Sequence, residues 1–273
     1  MMNYSKMENY DTLILSSGGV KGLYMLGALY YFSESKSLSF KKYIGTSVGA
    51  IIGYLLAIGY SPFEILSTLI SQNIFKEMSK NMRNLSAMVD GEGVFNYEII
   101  HKILEFFTMN KIGKYITLKQ LYDEYKKELI CVTHNLTQQK VEYLSYKTNP
   151  HLPCLIALRM TSNIPIMFAP FKYTNNFYID GAFDNDFAVE CLDEKDNALG
   201  VYLDPIEDCV TFTNQLQYLL QSIIVPLNIL SKEQLKKAKE CKNLKIVEIP
   251  TGNDSMQFKI NITTILNKFS KGY

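Results

Sequence analysis

A chain of 273 residues is long for an average domain, yet it lies within the range of one large α/β domain and can bury a sizeable core. Its 28 Lys and Arg against 27 Asp and Glu leave a formal charge of +1, so the overall field gives no reason to invoke nucleic acid as a partner. Five cysteines, Cys131, Cys154, Cys191, Cys209 and Cys241, are odd in number and form no C-x-x-C pair, a pattern of reduced buried thiols rather than of disulfides or zinc. The opening residues MMNYSKMENYD carry two acidic side chains and no apolar segment, so no signal peptide is expected and a cytoplasmic location is. The longest apolar stretches, 48–60 and 216–230, fall short of a membrane span, and the second is broken by Gln217, Gln221, Pro226 and Asn228. No repeat, linker or low-complexity tract divides the chain, so residues 1–273 are expected to form one domain.

In chain order, the run 12–16 is short, apolar and β-prone, and it ends at Gly18 and Gly19 before a helical stretch over 23–32. The pattern recurs at 41–45, followed by Gly-Thr-Ser-Val-Gly and a helix over 48–58; Ser61 and Pro62 then cap and start another helix. Residues 79–88 read as a connection, and helices over 97–109 and 118–127 as a cover above a site. Strands over 129–135 and 141–146 pair, 153–161 is helical, and 171–173 with 177–179 makes a hairpin leading into Asp180-Gly181. A strand at 199–203, a long helix over 213–230, a charged helical stretch to Cys241 and a strand at 244–249 complete the order. Strands alternating with helices indicate an α/β fold, a mainly parallel sheet covered on both faces.

Gly45-Thr46-Ser47-Val48-Gly49 matches G-x-S-x-G between an expected strand and an expected helix. Small residues two before and two after the serine allow a tight turn that projects its hydroxyl at a helix N-terminus, although a plain strand-to-helix junction has the same composition. Ser17-Gly18-Gly19-Val20-Lys21-Gly22 also follows a strand and opens a helix, which gathers backbone N–H groups suited to an anionic oxygen. It lacks both the phosphate-loop and the dinucleotide-loop spacing, so an oxyanion hole for acyl transfer fits better than a nucleotide site. A serine needs a base, and His101, His134 and His151 all lie before the last 122 residues, where an α/β-hydrolase would not keep its histidine. Among carboxylates, Asp180 before Gly181 and Asp90 before Gly91 both suit a turn, and spacing alone does not choose between them.

Together the glycine loop, the G-T-S-V-G elbow and the late Asp180-Gly181-Ala182 resemble the patatin-like phospholipase family, as do Met160 to Pro165 and Phe168 to Pro170. The resemblance covers roughly residues 12–203 and implies a three-layer α/β/α patatin-like fold, with residues from about 211 to 273 completing the domain. It implies a Ser47–Asp180 dyad without histidine, an oxyanion hole from Gly18, Gly19 and Val20, and Lys21 as the loop's basic residue, structural or anion-orienting. Gly22, Gly45, Gly49 and Gly181 belong to the same motifs. Two departures stand out: Ser17 replaces the loop's usual third glycine, and Asn185-Asp186-Phe187 replaces a common Asn-x-Pro.

The activity so implied is lipid acyl hydrolysis of phospholipase A or lysophospholipase type, with no metal or organic cofactor. Phospholipid or lysophospholipid is the first substrate class and neutral acylglycerol the next, with peripheral membrane contact. A thioesterase or general carboxylesterase using the same dyad, and a non-catalytic lipid-binding protein, are the alternatives. Apolar residues at 164–168 and 216–230 suit an acyl channel or a bilayer contact, with core packing the commoner use of such stretches.

Overall fold

The computed structural model describes residues 10–35, 39–84, 86, 90–205, 215–251 and 260–273; Cys209 lies outside them. Alternation along the central strands sorts their side chains into two layers. In β1 (Thr12–Leu15), Leu13 and Leu15 enter the larger core and Ile14 the smaller one opposite; in β2 (Lys42–Thr46), Tyr43 and Ile44 divide in the same way. β3 (Glu128–Asn135) continues the pattern, with Leu129 and Cys131 on one face and Ile130 and Val132 on the other. A sheet apolar on both sides must be covered on both, which is the physical origin of the three layers.

The remaining strands are β4 (Lys140–Leu144), β5 (Phe171–Tyr173), β6 (Asn176–Asp180), β7 (Ala198–Pro205) and β8 (Leu244–Thr251). Their order is β5-β6-β3-β2-β1-β7-β8, with β4 also on β3. β3, β2, β1, β7 and β8 run parallel, while β4 and β6 join β3 antiparallel and β5 joins β6 the same way. The expected mainly parallel sheet is therefore present, with its antiparallel strands gathered at one side.

The helices are α1 (Gly22–Ser35), α2 (Val48–Ala57), α3 (Pro62–Ser71), α4 (Ile74–Lys80), α5 (Glu98–Ile112), α6 (Leu118–Tyr125), α7 (Cys154–Thr161), α8 (Gln215–Ala238) and α9 (Ile262–Gly272). α3 begins where Ser61 and Pro62 indicated: the Ser61 hydroxyl accepts the Glu64 N–H at 3.2 Å and Glu64 accepts the Ser61 N–H at 2.7 Å, a reciprocal cap. The larger core lies under α1, α2, α5 and α7; Leu235 and Ala238 of α8 close the smaller one. No single helix among the described residues is long and apolar enough to cross a membrane.

Three readings of the sequence need correction. α4, anchored by the buried Met78, runs on into the first two residues of the stretch read as a connection, Ser79 and Lys80. The long helix and the charged stretch after it are one helix, α8, which runs through Pro226; the proline is exposed, so water can serve the Ser222 carbonyl that its missing N–H leaves open. Core packing accounts for only part of 216–230: Leu220 is buried and Leu216 and Ile224 pack against the larger core, while Tyr218, Leu219, Val225, Ile229 and Leu230 are exposed. The thiols of Cys131 and Cys154 are buried and free, and burial pushes both upward in pKa; Cys191 and Cys241 are free and half-buried.

Candidate active site

Sheet register brings Ser47 and Asp180 together. β2 pairs with β3 as far as Thr46 opposite Val132, and β6 pairs with β3 from the other direction as far as Asp180 opposite Thr133. β4 occupies the other edge of β3 over the same residues, so β2 and β6 share one edge and meet there end to end. The residue that leaves β2 thus faces the residue that ends β6. Ser47 lies just past the carboxyl end of β2, and ligands of open α/β sheets bind outside the carboxyl ends of the strands.

The elbow needs its small residues for close approach. A Cβ at Gly45 would lie 2.4 Å from the Ala50 nitrogen, and one at Gly49 would lie 2.5 Å from the carbonyl oxygens of Leu15 and Ser16. Between them Ser47 holds φ 56° and ψ −123°, a conformation costly for any residue with a side chain. Its N–H donates to Thr161 Oγ1 at 3.0 Å, and the Thr161 hydroxyl donates in turn to the Val132 carbonyl, which pins the turn to β3. On the opposing strand end, a Cβ at Gly181 would lie 2.2 Å from that same carbonyl.

Asp180 is 2% exposed and accepts the Ala182 N–H at 2.9 Å, and the Ser47 side chain lies near enough to lower its pKa. Burial pushes its pKa up to about 7; the Ser47 side chain and the Ala182 N–H pull it down, and the nearby Asp186 carboxylate raises it further. A carboxylate with a pKa near neutrality beside a serine has the proton affinity of a general base at physiological pH. Asp90 lies in a turn outside this site, as read from the sequence. The histidines are elsewhere too: His134 Nδ1 contacts the Asp184 carboxylate, His101 lies on α5 near Glu105, and His151 is in an exposed turn.

The glycine loop passes beside the serine. Gly18 (φ 155°) and Gly19 (φ 53°) take backbone conformations that suit glycine, and a Cβ at Gly18 would lie 2.4 Å from Leu203 Cδ1. Among the described residues the N–H groups of Gly18, Gly19 and Val20 take no backbone acceptor. Ser17, where a third glycine was expected, donates its N–H to Asp186 at 2.6 Å. The two departures from the motif therefore meet each other: the aspartate of Asn185-Asp186-Phe187 holds the loop at Ser17. Gly22 opens α1 against Val48, and the buried Lys21 ammonium has its pKa lowered to about 8 by burial, against the pull of Asp186 and Asp204.

Two cavities meet at this point. A cleft of about 100 Å³ is bounded by the loop, Lys21, Asp180, Asp186 and the inward face of α8. A second cavity, of about 150 Å³ and almost wholly apolar, runs from Val20 and Val48 beneath α3, α4 and α5 to Phe107. Gly19, Ser47 and Ile164 line both. The expected cover is thus α5, through Ile100, Ile103, Leu104 and Phe107; α6 lines neither cavity. Thr161 and Asp186 lay in segments with a recognisable pattern but were given no part in the site, and Ser231 was not singled out from sequence.

A family model described as patatin-like phospholipase matches residues 13–192. The chain is 38% identical over 192 residues to "Probable lipid hydrolase 463L" of Invertebrate iridescent virus 6, a match covering 68% of this chain and 64% of that protein. It is 28% identical over 213 residues to the uncharacterized protein YqhO of Bacillus subtilis, covering 71% of each. The match to the viral relative thus spans less than two thirds of that protein's length. VipD from Legionella pneumophila superposes with a TM-score of 0.58 at 17% identity, over 97% of this chain and 66% of that one. The type III effector ExoU superposes with a TM-score of 0.51 at 15% identity, over 97% of this chain and 51% of that one. With its elbow, glycine loop and abutting strand ends inside the matched region, the chain belongs to the patatin-like phospholipase family.

Proposed function

We propose that the protein hydrolyses fatty-acyl esters of lipids, phospholipid or lysophospholipid first and neutral acylglycerol next. The observation that carries this reading is the placement of Ser47, on its strained elbow, beside a buried Asp180 whose pKa is about 7, at the point where a polar cleft and an apolar cavity join. Asp180 takes the Ser47 proton as the serine oxygen attacks the acyl carbon, and the carbonyl oxygen becomes an oxyanion facing the N–H groups of Gly18, Gly19 and Val20. As the tetrahedral intermediate collapses, the ester C–O bond breaks and Asp180 returns the proton to the departing alcohol, leaving an acyl-serine. Water then gives a proton to Asp180 and attacks the acyl-serine, releasing the fatty acid and restoring the Ser47 hydroxyl. The apolar cavity holds the acyl chain; Lys21, beside the polar cleft, attracts the anionic part of the alcohol fragment.

The test is to incubate wild-type, Ser47→Ala and Asp180→Asn protein with a mixed lipid extract and identify products by mass spectrometry, while labelling with a fluorophosphonate. Free fatty acid and labelling at Ser47 in the wild type, with release reduced at least about a thousandfold in both variants, is the expected result. Full activity in Ser47→Ala removes the mechanism. Acyl-CoA and a short soluble ester, run in parallel, separate lipid hydrolysis from thioesterase or general esterase action.

A further inference from the structure

A helix on a protein surface ordinarily turns an apolar stripe inward and a polar face to water. The first two thirds of α8 do not follow that rule. No charged residue occurs from Gln215 to Ser231. Leu220, Ile223, Ile224 and Leu227 form a wall of the polar cleft. On the opposite side Tyr218 is 58%, Val225 46% and Ile229 61% exposed, with Leu219 and Leu230 beside them. The rest of the helix is differently made. Ser231, Leu235 and Ala238 are buried, the Ser231 hydroxyl bonds Asp186, and Gln234 donates to the Asp184 carbonyl. From Lys232 to Glu248 the chain has six lysines against three glutamates, and Lys236 and Lys237 are exposed.

We propose that the outward face of α8 is the surface by which this protein seats on a lipid bilayer. Tyr218, Val225 and Ile229 enter the acyl boundary, and the lysine-rich end lies against anionic headgroups. Two observations select a membrane as the occupant. Charge complementarity is one: an uncharged apolar face continues directly into a positive segment, the composition that binds an anionic interface through buried apolar area and electrostatic attraction together. Continuity with the cleft is the other, because the same turns of helix that present the exposed stripe line the way to Ser47. A lipid drawn from a bilayer on which α8 rests reaches the cleft without exposing its chain to water. This inference rests on the lipid-ester reading of the site and adds where the substrate comes from.

The chain contains no tryptophan, so Ile229→Trp supplies a single reporter without background. In the Ser47→Ala background, which keeps vesicles intact, equimolar phosphatidylcholine and phosphatidylserine vesicles should blue-shift its emission, and bromine-labelled acyl chains should quench it. The pair Val225→Glu and Ile229→Glu should lower vesicle partitioning by about tenfold or more, while hydrolysis of a soluble short-chain ester by the otherwise wild-type chain stays within about twofold. Tryptophan emission unchanged when the protein co-floats with vesicles overturns the proposal, as does unaltered partitioning of the glutamate pair. So does a lipid-free dimer of the wild type that the glutamate pair makes monomeric, because the stripe then serves a second copy. Partitioning is read on a variant that need not turn over, so failure of the hydrolase reading shows separately, as a wild type that releases nothing from either substrate.

Discussion

Asp186 accepts the Ser17 N–H at 2.6 Å across 169 residues of sequence, and its other oxygen accepts the Ser231 hydroxyl. One buried carboxylate therefore ties the glycine loop to α8, and its charge also raises the pKa of Asp180. Asp186→Asn keeps an acceptor for Ser17 and removes the charge. The acid limb of the pH dependence of kcat/KM should then move to lower pH, with the plateau rate little changed. Asp186→Ala removes the loop's tether as well and should lower the plateau. An acid limb that stays in place in Asp186→Asn would show that this charge does not act on the base.

The raised Asp180 pKa has consequences of opposite sign for activity and stability. The base must be ionised, so kcat/KM should rise with pH through about 7. Between the usual carboxylate range and about 7 the folded state binds more protons than the unfolded state, so this group's effect on stability worsens as pH rises through that window. Asp180→Asn removes the buried charge. Its stability, read as melting temperature, should exceed that of the wild type at pH 8 by more than at pH 5, the gap widening by at most about 3 kcal/mol from about 1.4 kcal/mol per pKa unit over the interval from pH 5 to about 7. Equal gaps at the two pH values would contradict the raised pKa.

Ser47 sits where only glycine is at ease. Strain of this kind costs about 1–3 kcal/mol, and the added chain entropy of a glycine returns about 0.5–1 kcal/mol of it. Ser47→Gly should therefore melt a few degrees above the wild type and be inactive. A lower melting temperature would mean that the elbow holds no such strain.

Leu104 lines the apolar cavity from α5 and is 1% exposed. Leu104→Phe places added bulk in that space. Hydrolysis of long-chain esters should fall about tenfold or more while that of a short ester falls less than threefold, the overpacking cost being about 1–3 kcal/mol in stability. A uniform loss across chain lengths would argue that the acyl chain lies elsewhere.

The parts of the site that were legible in the sequence are those with a local backbone requirement. Gly45 and Gly49 are demanded by contacts within the elbow and against β1, and Gly18 and Gly19 by their own dihedrals, so each leaves a mark a few residues long. Asp180 was ambiguous with Asp90 until the motifs were taken together, because what selects it is register against β3, a long-range fact. The bond from Asp186 to Ser17 shows in the sequence only as two separate departures from the motifs, because their pairing is long-range as well. Arg159 is a further case: its guanidinium lies 3.8 Å from the Tyr97 ring centre and also faces Phe168 and Phe171, holding a wall of the apolar cavity. Nothing in the spacing of those residues announces a buried cation. α8 was read in two pieces, divided after Leu230 where an uncharged run gives way to lysines; Ser231, Leu235 and Ala238, which carry the helix on, are held by Asp186 and the smaller core, far off in sequence.

The meeting of two cavities at Ser47 also sets an order of traffic. With an acyl group on Ser47 and its chain in the apolar cavity, as proposed, the polar cleft is the way out for the alcohol fragment. The same opening then admits the acceptor, so any small alcohol that enters it competes with water for the acyl group. Added glycerol or methanol should accordingly divert fatty acid into new ester, in proportion to its concentration, without slowing loss of the original lipid.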